Sequence, residues 1–154
     1  MAYYRQLRSD SQTLCYTLTV NIDKVLVIAS AFIKNSKGQV LLLERSNKSS
    51  YPGYWQLVEG KLERGELPVV AIKREIEEET GSAVSALDID SATYNEIEAK
   101  GLKYLCFRIV FFVKINTKKI KTSDEHASFG WFSKPDALSL RLLPGTEDIL
   151  KKLF

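Results

Sequence analysis

Glu75, Glu78 and Glu79 stand at positions i, i+3 and i+4. On a helix turning about 100° per residue their side chains gather on one arc. With Val69 set at zero, Ile72 and Ile76 fall within about 60° of it and form a core-facing stripe, while the carboxylates centre roughly 100° away, with small Ala71 among them. Glu77 points elsewhere. Carboxylates so placed repel one another by a few tenths of a kcal/mol per pair, and they lie towards the helix C-terminus, where the dipole prefers cations. A hard divalent cation reverses that sign, and Mg²⁺ typically combines a few carboxylates with substrate phosphates and water. A glutamate run standing alone has a blander reading as a solvated charged face. A Cys/His zinc site of the usual kind is not expected, because Cys15 and Cys106 form no CxxC pair and His126 is the one histidine. A disulfide is not expected either.

The run does not stand alone. Gly60, Glu66, Arg74, Glu75, Glu78, Glu79 and Gly81 fit the spacing Gly-x5-Glu-x7-Arg-Glu-x-x-Glu-Glu-x-Gly. This resembles the signature of the Nudix hydrolase family, and the resemblance directly covers Gly60 to Ser82. It implies a strand-loop-helix unit in which Glu75, Glu78 and Glu79, with the carbonyl of Gly60, bind Mg²⁺ or Mn²⁺. It further implies that Arg74 and Glu66 support the first carboxylate. Attack of water on a diphosphate needs charge neutralisation and a proton acceptor. Glu78 is the expected base, with Glu75 next. Arg45 and Lys61 are expected to meet phosphate, and Trp55 or Tyr54 to stack on a base. Glu125 and His126, upstream of Trp131, are expected at the site, the glutamate as a further metal ligand or base and the histidine at the substrate. Two departures stand out: Val58-Glu59-Gly60 replaces the common Pro-Gly-Gly entry, and Ser82 replaces an aliphatic residue.

These side chains need a frame. Tyr16 to Val20, Val25 to Ile33 and Gln39 to Glu44 read as strands, the last two joined by a hairpin turn at Asn35-Ser36-Lys37-Gly38. Tyr54 to Val58 reads as a short strand and Gly60 to Gly65 as a loop. Pro68 suits the first turn of a helix and Gly81 the position just past its end. Ala83 to Ile89, Tyr104 to Ile115 and Phe129 to Phe132 read as further strands, the second crossing the sheet centre, and Thr146 to Phe154 as a closing helix. The sum is α/β: a Nudix-like α/β/α sandwich with a mixed central sheet and helices on both faces.

At 154 residues, with 45% hydrophobic and 27% charged residues, the chain suits one globular domain spanning 1–154. Lys+Arg 22 against Asp+Glu 19 gives +3, too slight to declare a nucleic-acid or membrane partner. The lysines at 114, 118, 119 and 121 read as a solvated hairpin end. The apolar run Val25 to Ile33 is far short of the roughly 20 residues that cross a bilayer, and no secretory leader is evident, so a cytoplasmic location is expected. The resemblance implies a nucleotide or nucleoside diphosphate derivative as substrate. Trp55-Gln56-Leu57-Val58-Glu59-Gly60 with Glu125-His126 is similar to enzymes releasing pyrophosphate from nucleoside triphosphates. Dinucleoside polyphosphate hydrolysis and a catalytically silent nucleotide-sensing domain are the alternatives, and a homodimer is an assembly common in the family.

Overall fold

The computed structural model describes residues 22–116 and 120–154. The strand read at Tyr16 to Val20, Cys15 and the lysines at 118 and 119 lie outside these. Four strands form a mixed sheet in the order β4-β1-β6-β5, built from β1 (Lys24–Ile33), β4 (Val58–Lys61), β5 (Val84–Ala99) and β6 (Leu102–Ile115). β1 runs antiparallel to β4 and parallel to β6, and β6 antiparallel to β5. A second, antiparallel sheet has the order β3-β2-β7, from β2 (Val40–Arg45), β3 (Trp55–Gln56) and β7 (His126–Phe132). Helices α1 (Pro68–Thr80), α2 (Lys134–Ser139) and α3 (Thr146–Leu153) complete the chain.

Strand alternation sorts the core into two layers. Ala29, Ala31 and Ile33 of β1 and Leu41 and Leu43 of β2 pack against Ala71, Ile72 and Ile76 of α1. Phe32, Val40, Leu42, Leu57 and Val110 pack on the opposite side with Ala137, Ile149 and Leu150 of α2 and α3. Each fully buried Ile or Leu contributes about 1.5–3 kcal/mol, so the apolar stripe of α1 is what anchors its glutamates. The helix starts at Pro68 and ends at Gly81, whose φ of 65° lets its N–H reach the Glu77 carbonyl at 2.8 Å.

Three expectations need correction. The turn at Asn35 to Gly38 forms, with Gly38 N–H donating to Asn35 O at 3.0 Å, but β1 and β2 share only the bridge Lys34–Val40 before entering different sheets. Side chains of both strands still reach the α1 layer. The single strand expected at Tyr54 to Val58 is two strands in different sheets, with Leu57 as the crossing residue. The strand read from Ala83 to Ile89 continues to Ala99, as the partner of β6 across a tight turn at Lys100-Gly101, both with positive φ. β6 does hold an interior place in its sheet.

Candidate active site

Strand β4 brings Gly60 against α1. A Cβ on Gly60 would coincide with the Glu75 carboxylate, so the absence of a side chain leaves the space that this carboxylate occupies. Arg74 organises the cluster. Its Nε and Nη2 donate to the two oxygens of Glu66, each at 3.0 Å, and its Nη1 donates to Glu75 Oε1 at 2.7 Å and Glu78 Oε2 at 3.2 Å. The forked guanidinium suits this bidentate grip. Hydrogen bonding from Arg74 holds Glu66 below the usual carboxylate range. Glu75 is pushed up, chiefly by burial, against the pull of Arg74 and with the like charges of Glu78 and Glu125 adding to the rise. Glu79 is pushed well up by burial, then by Glu75 and Glu59. Its Oε2 is buried and has no hydrogen-bond partner among the described residues. Glu78 remains the solvent-accessible member, its side chain 58% exposed.

Among the described residues no three acidic, histidine or cysteine side chains already form a closed metal cage. Arg74 draws Glu75 and Glu78 towards itself instead. The donor set nevertheless fits a hard divalent cation: Glu79 offers an unpaired buried oxygen, and three carboxylates on one face carry more negative charge than Arg74 offsets. Glu75, Glu78, Glu79 and the carbonyl of Gly60 are the groups that would hold it.

The carboxylates line one end of a cavity of about 690 Å³. Arg45, Lys61 and Glu125 line it as well. Arg45 is steered by Gln56 Oε1, which accepts from its Nη1 at 2.6 Å, and by the Ser50 carbonyl. Three residues expected at the substrate, Trp55, Tyr54 and His126, are not on the cavity wall, and Tyr54 packs edge-on against Tyr51 and beneath Arg141. Trp55 packs edge-on against Phe132, ring centroids 5.0 Å apart, in the layer beneath α2 and α3, because the sheet switch at Leu57 turns it into that core. His126 is buried behind Glu79, with Nε2 at 3.6 Å from Glu79 Oε1 and 3.4 Å from Gln56 Nε2. Burial, with the charge of Arg45, pulls its pKa down to about 4, so it is a neutral support.

A second charged pair on the cavity wall was not expected from the sequence. Glu59, noted only as a departure from Pro-Gly-Gly, is buried and paired with Arg108, itself buried, with Nε to Oε2 at 3.2 Å. Burial works against the Arg108 charge and Glu59 overcomes it. Each is a charge flanked on both sides by uncharged residues in a strand, between Val58 and Gly60 and between Phe107 and Ile109. Such a charge calls for a buried partner, and that was the available signal.

The NUDIX domain pattern matches residues 24–153. This chain belongs to the Nudix family. An octanoyltransferase of Myxococcus xanthus is 32% identical over 77% of the chain and 33% of its own length. The nucleoside triphosphatase NudI of Escherichia coli is 26% identical over 80% of the chain and 93% of its own length. The Nudix chain spans about a third of the length of the first curated relatives it matches. Among solved structures, a MutT NUDIX hydrolase from Burkholderia pseudomallei superposes with a TM-score of 0.70, at 26% identity, over 84% of this chain and 98% of that one. No helix among the described residues is long and apolar enough to cross a membrane.

Proposed function

We propose that the protein is a Mg²⁺-dependent pyrophosphohydrolase acting on nucleoside triphosphates. The observation that carries this is the placing of Glu75, Glu78, Glu79 and Gly60 at one end of a cavity that also holds Arg45 and Lys61 and is large enough for a nucleoside beyond them. The resemblance to NudI, a nucleoside triphosphatase, supports the substrate class. A divalent cation at the carboxylates supplies charge neutralisation on the diphosphate and lowers the pKa of the attacking water. The chain's own residues do the rest. Arg45 and Lys61 bind the terminal phosphates, and Arg74 sets the rotamers of Glu75 and Glu78. Water adds to a phosphorus of the α–β anhydride while its proton passes to Glu78, and the bridging oxygen leaves, giving nucleoside monophosphate and pyrophosphate.

Incubation with Mg²⁺ or Mn²⁺ and a panel of nucleoside triphosphates, diadenosine tetraphosphate and ADP-ribose, with products separated by chromatography, tests this. Pyrophosphate plus monophosphate, lost in Glu78→Gln, is the expected result. A nucleoside triphosphate released from the dinucleotide would move the assignment to dinucleoside polyphosphates. No turnover and no metal binding would sink the hydrolase reading.

A further inference from the structure

We infer that Glu59 is a specificity-determining residue whose Oε1, held at the cavity wall by a buried network, accepts a hydrogen bond from an N–H or O–H group on the nucleoside part of the substrate. The inference rests on the triphosphate reading above and deepens it.

Alternation along β4 places Gly60 towards α1 and Glu59 on the opposite face, directly across from Ser30. Ser30 Oγ donates to Glu59 Oε2 at 2.8 Å, and Arg108 Nε donates to the same oxygen at 3.2 Å. Oε1 meets Arg108 Nη2 at 3.5 Å, longer than a normal hydrogen bond, and so keeps acceptor capacity. Arg108 has little left to give, because its Nη1 donates to Asn95 Oδ1 and its Nη2 to the Pro144 carbonyl at 3.1 Å. The group free to read a substrate is therefore the carboxylate.

Charge explains why the pair is built this way. A lone carboxylate here would add to the field of Glu75 and Glu79 and repel a polyphosphate. Paired one-to-one with Arg108 it has no net charge, yet keeps a directional acceptor fixed on two rigid strands. The same sheet face continues through Ile28, Leu26, Cys106, Tyr104 and Ile97, all lining the cavity. A ring laid on that floor loses its water, so a substrate without a donor leaves the acceptor unpaired and is rejected.

The test is selectivity within matched triphosphate pairs. Adenosine against purine riboside and cytidine against 2-pyrimidinone riboside remove an exocyclic amine without adding a ring N–H, whereas ribose against 2′-deoxy and 3′-deoxy sugars remove a hydroxyl. Wild type should prefer the donor-bearing member of at least one pair by about tenfold in kcat/KM, and the responding pair identifies the donor. In Glu59→Gln, Arg108 keeps the amide oxygen and the NH₂ turns to the cavity, so the preference should vanish or reverse. A packing role alone would lower both members alike, and that result overturns the inference. Should Glu59→Gln fail to fold by melting temperature, Ser30→Ala, which frees the carboxylate without unpairing a charge, should shrink the ratio severalfold. Wild type that treats every pair alike within twofold overturns the inference without any variant. Calorimetric binding of α,β-methylene analogues separates the two levels: analogues that bind without discrimination sink this inference alone, whereas absence of both binding and turnover sinks the triphosphate reading.

Discussion

Arg74 and Arg108 each hold glutamates beside one cavity, yet Arg74 serves three carboxylates, two on α1 and Glu66 on the loop before it, while Arg108 serves one at the buried face of the sheet. The first cluster is over-supplied with negative charge and would be balanced by a cation from outside. The second is balanced in charge within itself. Both contain the same residue types, so burial and stoichiometry, not chemistry, separate a site that gathers a ligand from one that shapes a wall.

The contrast breaks first where charge is buried. Arg108→Met should cost about 3–5 kcal/mol in urea unfolding, because it strands Glu59, whereas Arg108→Met with Glu59→Leu should recover most of that loss. An equal loss in the double variant would show that packing, not charge pairing, is what matters. At the other cluster, Glu78→Gln should lower kcat about 10²- to 10³-fold, equivalent to about 3–4 kcal/mol of barrier, while shifting stability by less than about 0.5 kcal/mol. Unaltered turnover would remove Glu78 as the base.

His126, behind Glu79, sharpens the comparison through pH. Its pKa of about 4 in the fold lies below the ordinary 6.5 of an unfolded histidine. The unfolded chain therefore takes a proton that the folded one refuses. The stabilisation is complete above pH 6.5 and is lost as pH falls towards 4, by about 3 kcal/mol. Glu75 and Glu79, whose folded pKa values are raised, act with the opposite sign, losing stability as pH climbs above the ordinary carboxylate range. The difference between wild type and His126→Gln in denaturant unfolding across this window isolates the histidine, and parallel curves would refute it. The smallest effect is expected at Arg74→Lys, which keeps the charge but loses the fork across Glu66, Glu75 and Glu78: about a tenfold rise in the Mg²⁺ concentration giving half-maximal activity.

Legibility followed distance along the chain. The α1 cluster could be read because Pro68, Gly81, the Ile72 and Ile76 stripe and the glutamates all lie within one local period. Glu59 and Arg108 are 49 residues apart, and no local pattern joins them. The Asn35 to Gly38 turn was legible, since Asn35 Oδ1 accepts from the N–H groups of Lys37 and Gln39. That β1 and β2 then part was not, because their sheet partners, β4 and β6 for the one and β3 and β7 for the other, come later in the chain. Trp55 misled for the same reason: its partner, Phe132, lies in a strand far along the chain. His126 has the composition of a contact residue and the burial of a support, and composition alone cannot separate the two.

The parallel pairing of β1 with β6 sets Lys24 beside Tyr104 and Ile33 beside Val113. During synthesis, the strand that underlies both clusters has no central neighbour until about eighty more residues have left the ribosome. The Pro144 carbonyl on Arg108 arrives later still. Contacts so remote in sequence close slowly, because loop entropy is lost before any pairing repays it. The acidic helix can thus form early on the nascent chain, whereas the sheet beneath the Glu59–Arg108 pair cannot close until β6 and then Pro144 have been made.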